Sequence, residues 1–329
     1  MHSTVRIAVL REEFAKLGYR YETRLIDGVE YTKFISSDGL SWLYKDSNGI
    51  LPFPYVGASR ILNDKAVAAR YARAKGVRVP RVVPLEASMQ SIDEYRRVLG
   101  VSGKVVVKPT DGTLSRGVSA NVETDEQFIA AVAKARKQSQ SIVVQERIEG
   151  DEFRFVYVGT RLKAVIHKQK ARVTGDGHRT VRDLVLDENR QRLELTGLRA
   201  RYPQLPLGRL EQKGIDLMAV PQEGEIVQLS DSTMLEDGAS FYEVSQEIHE
   251  SYKEIASTLA SDFGGGYLAV DIIISNHYEP ASDDNYAFLE YNDLPAPLFY
   301  YVCRNQPEVP VMRDLVQYID RILHIADEQ

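Results

Sequence analysis

KVVVKPTDGTLSRGV, residues 104–118, is the stretch on which the reading of this chain turns. Its run of valines has the length and composition of a buried strand, and the strand delivers Lys108 to its end. The loop that follows carries Gly112, Ser115 and Gly117. Backbone amides in a glycine-bearing loop can close on phosphate oxygens, and a lysine at the strand end supplies a fixed positive charge. The pattern is not a Walker loop, which needs Gly-Lys-Ser or Gly-Lys-Thr leading into a helix. Here GTLSRGVSANV runs into a second apparent strand. Taken alone, the same letters also describe a hairpin turn beside an exposed lysine, so the surroundings have to decide.

On the N-terminal side, NDKAVAARYARAKG (63–76) has an aspartate at the entry and Gly76 at the exit of an alanine-rich helix, and VRVP follows as a strand. Before it, a helix from about Val5 to Leu17 ends at Gly18, and YRYETRLI and VEYTKFI read as strands around an Asp-Gly turn. On the C-terminal side, TDEQFIAAVAKARK is a helix with Thr124 and Gln127 spaced as a capping box. SIVVQE is a strand, and FRFVYVGTRLKAVIHKQ reads as two strands about a Gly-Thr turn. The segment 172–228 is polar and mixed, with a helix near TVRDLVLDENRQR. A helix from about Ser245 to Phe263, the strands YLAVDIIIS and YAFLEYN, and the amphipathic helix VMRDLVQYIDRILHIA complete an α/β (α+β) chain.

Two further segments carry chemistry. VVQERIEGDEF (143–153) runs from an apolar strand into alternating polar residues and a turn at Gly150. Such a segment can offer backbone groups to an adenine edge and carboxylates to a base and ribose, although by itself it reads as a solvated turn. In LAVDIII (268–274), Asp271 sits inside an apolar run, and in AFLEYND (287–293) Glu290 and Asn292 stand two apart, on one face of a strand. Hard oxygen donors converging in this way suit magnesium, with nucleotide phosphates and water filling the other positions. The alternative for Asp271 is a turn cap or a core partner for an arginine.

The bulk composition narrows the partners. With 329 residues, 43% hydrophobic and 27% charged, the chain has length for two or three modest domains. A net charge of -6 argues against nucleic acid or anionic lipid as partner. Cys303 is the single cysteine, so neither an intrachain disulfide nor a thiolate zinc cage can form. No signal peptide and no run long enough to span a membrane is visible, and the expectation is a cytoplasmic protein, with a homodimer as the default assembly.

In chain order, Lys65 in NDKAVAARYARAKGVRVP, Lys108 in VVVKPTDGTLSRGV, QERIEGDEFR, KARVTGDGHRTVRDL, Asp271 in AVDI and LEYND together resemble the ATP-grasp ligases. The resemblance runs from Ile7 to Pro297 and is greatest to the ATP-grasp modules of cyanophycin synthetase and bifunctional glutathione synthetase. It implies an N-terminal α/β region (1–62), a small lobe with the phosphate loop (63–148) and a large lobe with the metal and acceptor sites (149–329), the two lobes enclosing the nucleotide. Lys65, Lys108 and the loop with Gly112, Ser115 and Gly117 would contact the phosphates. Gln145, Glu146, Arg147 and Ile148 would line the adenine, Glu152 would hold the ribose, and Asp271, Glu290 and Asn292 would bind Mg2+, or Mn2+ in its place. Arg154, His167, Lys168 and Arg172 would face the reacting acyl phosphate or the acceptor.

The implied activity is ADP-forming ligation of a small-molecule carboxylate, an amino acid or short peptide among them, to an amine. A nucleotide-binding regulatory protein without catalysis and a phosphotransferase are the competing readings. Three departures from the family pattern are visible: Ser115 stands at a usual glycine, MLEDGAS (234–240) replaces an Asn-Leu-Ser-Thr-Gly-Gly region, and LPAPLFYY (294–301) replaces Ala-Pro-Gly. All but the first lie where acceptors bind in the family, and they leave the substrate open.

Overall fold

A computed structural model describes residues 2–26, 29–45, 64–89, 91–110, 117–198, 200–263, 266–306 and 308–327. The chain opens with helix α1 (His2–Lys16) and strands β1 (Arg20–Ile26), β2 (Val29–Ile35) and β3 (Ser41–Lys45), an antiparallel sheet in the order β1-β2-β3. After α1 the chain turns at Gly18, whose φ of +84° is left-handed backbone that glycine adopts without a Cβ clash. Helix α2 (Lys65–Ala74) starts where the sequence puts it, because the Asp64 carboxylate accepts from the amides of Ala66 and Val67 at 2.9 and 3.0 Å.

Strand β4 (Val82–Pro84), helix α3 (Ile92–Leu99), strands β5 (Val105–Pro109) and β6 (Ser119–Val122), helix α4 (Asp125–Arg136) and strand β7 (Ile142–Glu146) form the next unit. Its antiparallel sheet runs β4-β7-β5-β6. The expected box at Thr124 and Gln127 caps α4 in both directions. Val105 and Val107 bury against Tyr95, Leu99, Phe128 and Ala131 of α3 and α4. The period of two along a strand then turns Lys108 to the sheet's other, helix-free face.

The larger antiparallel sheet contains β8 (Asp151–Val158), β9 (Arg161–Gln169), β12 (Ser240–Glu243), β13 (Tyr267–Ile274) and β14 (Tyr286–Asp293), in the order β12-β9-β8-β13-β14. One face, with Phe153, Val165 and Val270, packs on α2 and on α7 (Glu250–Ala260). The opposite face, with Val156, Ile166 and Ala269, packs on α1, the turn 297–301 and α8 (Val311–Asp327). The N-terminal helix therefore shares a core with the C-terminal one, and α2 rests on the large sheet rather than on the small one that follows it in sequence.

Between β9 and β12, strands β10 (Arg172–Thr174) and β11 (Ile226–Gln228) pair, and with α5 (Val181–Glu194) and α6 (Leu207–Gln212) they enclose a separate small core around Val173, Val185, Leu205 and Leu210. The helix expected from Ser245 begins at Glu250 instead. Its would-be first turn is held to the sheet, since the Val165 amide donates to Ser245 Oγ at 2.9 Å. Among the described residues no helix is long and apolar enough to cross a membrane.

Candidate active site

The segment between β7 and β8 joins the two sheets, and its geometry depends on Gly150. That residue has φ of +127°, and a Cβ there would lie 2.3 Å from the carbonyl oxygen of Ile274. The Lys170 ammonium donates to the Gly150 carbonyl at 2.9 Å. The small-lobe end of the segment is pinned by Glu146, a buried carboxylate that accepts from Arg78 at 2.9 Å and from the Arg81 amide at 3.0 Å. Burial pushes the Glu146 carboxyl up, but the hydrogen bonds and charges of Arg81 and Arg78 outweigh it and hold the group below the usual range.

Where this joint brings the sheets together, five expected site residues gather around Glu290. The Lys65 ammonium, on the first turn of α2, lies 2.9 Å from Glu290 Oε2 on β14. The Lys108 ammonium feels the charges of both: burial first, then the charge of Lys65, pull its pKa down to about 8, and Glu290 opposes the shift. On β14 and β13, Glu290 is the cross-strand partner of Asp271, and Asn292 of Ala269. The Asn292 Nδ2 donates to Asp271 Oδ2 at 2.9 Å.

Behind this junction lies a buried quartet of charges. Asp271 has no exposed surface, and the Arg154 guanidinium grips it as a fork, Nε to Oδ1 at 2.8 Å and Nη2 to Oδ2 at 2.6 Å. Glu152, next to them on β8, pairs with Lys168 of β9 and accepts from Thr233 Oγ1 at 2.9 Å. Burial, followed by the negative charge of Asp271, raises the Glu152 carboxyl against the pull of Lys168 and Arg154, whereas Arg154 holds Asp271 low despite its burial. The Phe299 ring supports both cations, 5.1 Å from the Arg154 guanidinium carbon and 5.3 Å from Lys168 Nζ.

Not every expected residue joins. His167 neighbours Lys168 in sequence and so falls on the opposite face of the strand, stacked on Phe153 at 4.4 Å, with Nε2 3.0 Å from Asp151. Arg172 reaches the same Asp151 oxygen at 3.1 Å, so it stands with His167 rather than with Arg154 and Lys168. Arg147 turns to Glu149 and to the Ala120 carbonyl at 2.8 and 3.0 Å, and Ile148 is buried. Gln145 is half-buried on β7 opposite Val106. Gly117 has φ of +79° and packs on Pro109 and Gln138, while Gly112 and Ser115 lie outside the described residues. Thr233, Arg78 and Arg81 carry no sequence signal of their role: each reaches the site through a loop or strand end whose course only the fold sets.

No protein-family profile matches the chain. It is 28% identical over 284 residues to the glutathione biosynthesis bifunctional protein of Clostridium perfringens, covering 84% of this chain and 36% of that protein. The protein of the same name from Mannheimia succiniciproducens is 27% identical over 250 residues, 73% of this chain and 33% of its own length. The chain thus spans about a third of the length of these curated relatives. Among solved structures, a bifunctional glutathione synthetase from Pasteurella multocida superposes with a TM-score of 0.60 at 22% identity, covering 97% of this chain and 43% of that one. In sequence and in its paired sheets, the chain carries the ATP-grasp fold and resembles the bifunctional glutathione synthetases.

Proposed function

We propose that the chain is an ATP-dependent ligase that activates a small-molecule carboxylate as an acyl phosphate and passes the acyl group to an amine, with release of ADP and phosphate. The observation that carries this reading is the meeting of Lys65, Lys108 and Glu290, two cations and a carboxylate from three distant segments, at the joint between the two sheets. Its support from outside is the likeness to relatives named for glutathione biosynthesis, a process that makes amide bonds. A reducing cytoplasm is the compartment proposed, in keeping with the single, buried cysteine.

A carboxylate is a poor electrophile, and amide formation in water is uphill, so coupling to ATP cleavage answers the need. In this scheme a carboxylate oxygen attacks the γ-phosphorus, the bond to the β-phosphate oxygen breaks, and ADP leaves. The amine nitrogen then attacks the acyl carbon, loses its proton, and phosphate departs. Lys108, half-buried on the inner face of the small sheet, and Lys65 bind and orient the phosphate oxygens. Two lysine charges beside the transferred group also offset the charge that builds as the phosphate leaves.

The donor set accepts magnesium in part: Glu290, beside Lys65, and Asn292, two residues on along the same strand, are half-buried oxygen donors, but both oxygens of Asp271 are already engaged by Arg154. Bound there, Mg2+ or Mn2+ would neutralise phosphate charge and polarise the γ-phosphoryl group. Arg154 and Lys168 would contribute positive field toward the acyl group from behind the sheet surface, and His167, on the other face, would not touch it.

A panel of amino acids and small acids, assayed pairwise for ADP and phosphate release with mass spectrometry of the product, tests the proposal. Release of ADP that requires both an acid and an amine, with a condensed product, supports it. AMP and pyrophosphate, or a phosphorylated product formed without any amine, would overturn it.

A further inference from the structure

The chain passes between the two sheets on either side of β4 and β7, and one carboxylate joins the outward and return passages. On the way out, Val77 and Val79 still belong to the core of the large sheet. Arg78 between them is held to β14: the Phe288 amide donates to its carbonyl at 2.9 Å, and its Nη1 donates to the Tyr286 carbonyl at 2.8 Å. Arg81 already lies in the small lobe, where its Nη1 reaches the Gly100 carbonyl at 3.2 Å. The return starts at Glu146, whose amide donates to the Arg81 carbonyl at 2.8 Å, so the two passages run side by side.

The Glu146 carboxylate is fully engaged between them. Its Oε1 accepts from Arg78 Nη2 at 2.9 Å and from Arg81 Nη2 at 3.2 Å. Its Oε2 accepts from the Arg81 amide at 3.0 Å and from Arg81 Nε at 3.2 Å. A carboxylate offers about four lone-pair sites, so these donors leave no acceptor for the amino group of a base. The side chain is also only 7% exposed. Strand alternation separates it from Lys108 as well: Gln145, paired with Val106 of β5, shares the helix-free face of Lys108, whereas Glu146 turns to the other face.

We infer that Glu146 and Arg78 are positioning residues that pin the two passages into one hinge, and that Glu146 makes no contact with the base. The inference rests on the ligase reading above for the presence of a nucleotide, and it departs from the resemblance, which puts Glu146 on the adenine. Arg78 is held by the large sheet and Glu146 by the small one, so the bond between them sets the angle at which Lys108 is presented to Lys65 and Glu290. Hinges are built from a few residues at element ends, and Arg81 and Glu146 stand at such ends of β4 and β7. Without the Arg78 arm the lobes sample a wider range of angles. A nucleotide that needs one of those angles then binds more weakly, in proportion to the fraction of molecules that hold it.

The test uses the full chain carrying spin labels at Val98→Cys of α3 and Glu254→Cys of α7, both exposed positions, while the fully buried Cys303 stays unlabelled. Pulsed electron resonance reads the distance between the labels. Calorimetry reads the affinities for Mg-ATP and Mg-ITP, which differ in the exocyclic group of the base. Arg78→Met keeps most of the side-chain volume and leaves Glu146 paired with Arg81. It should broaden the distance distribution and weaken both nucleotides about tenfold, with the ATP to ITP ratio unchanged and KM for ATP raised more than kcat is lowered. Arg78→Lys, which keeps the charge, should fall between parent and methionine variant. Glu146→Gln should weaken both nucleotides alike; Glu146→Asp takes its place if the glutamine variant does not fold. A distance distribution and affinities in Arg78→Met equal to the parent's would overturn the pin. A change of about tenfold or more in the ATP to ITP ratio at position 146, the size expected for a lost bond to a charged group, would put the carboxylate on the base and overturn the inference. If the parent binds neither nucleotide the ligase reading falls, and the label distances still decide whether Arg78 and Glu146 set the lobe angle.

Discussion

Lys65 and Glu290 meet at 2.9 Å, tying the first turn of α2 to the last strand of the large sheet. Lys65 keeps 50% and Glu290 32% of its side-chain surface in solvent, and exposed ion pairs contribute about 0–1 kcal/mol. The pair is therefore poor as a fastener and well placed as a contact for phosphate and metal. Lys65→Ala is expected to shift the free energy of urea unfolding by less than about 1 kcal/mol. The same variant should raise KM for ATP by about tenfold, as expected for loss of one charge-assisted contact. Unfolding curves and initial rates on the same preparation check both.

The Arg154–Asp271 fork is the opposite case. Removing one member leaves a buried charge unpaired, which costs about 3–5 kcal/mol, whereas replacing both by apolar side chains of similar volume is far milder. Arg154→Met and Asp271→Leu should each destabilise by that amount. The double variant should recover most of the loss, because Glu152 and Lys168 still neutralise one another. Additive losses in urea unfolding would show that the fork does not act as a unit.

Gly150 makes a sharp prediction for the joint. Alanine there would need both a backbone conformation that L-residues avoid and space already filled by the Ile274 carbonyl. Gly150→Ala should therefore destabilise by at least about 2 kcal/mol, readable as a lowered Tm.

Much of this arrangement is legible in the sequence, and for identifiable reasons. Helix starts carry local chemistry, so Asp64 and Thr124 mark α2 and α4. Alternation along β5 and β14 indicates that Lys108 shares no face with the buried valines and that Glu290 and Asn292 share one. The limits are equally physical. Strands of three residues such as β10 and β11 hold too few positions for a pattern to show. Adjacent residues on a strand face opposite ways, so His167 and Lys168 cannot both face the acyl group as the resemblance implies, because a resemblance carries over positions and not faces. The grip of Arg154 on Asp271 joins residues on two strands whose adjacency only the sheet order reveals.

The facing of His167 has a kinetic consequence. A residue acting as general acid or base contributes about 10²–10⁴-fold to rate. His167→Gln should leave kcat within about tenfold of the parent, since its ring serves Phe153 and Asp151 on the far face. A greater loss with an unchanged Tm would put the imidazole in the reaction.

Lys108 sets the expected pH dependence. Its pKa of about 8 lies below the ordinary 10.5, so between these values the unfolded chain binds a proton that the native one does not. The cost of burying the ammonium is full below pH 8 and is relieved as pH rises toward 10.5, so this residue's contribution to stability becomes less unfavourable with alkali. Nucleotide binding runs the other way, because phosphate needs the charged form, and affinity should fall as pH passes about 8.

Calorimetric titration with Mg-ATP, for the parent chain and Lys108→Ala at about pH 7 and about pH 9, reaches the central claim most directly. The parent should bind at the lower pH and weaken at the higher, with the variant weak at both and insensitive between them. Equal affinities for parent and variant would contradict the proposal that the lysine junction at the joint of the two sheets receives a nucleotide.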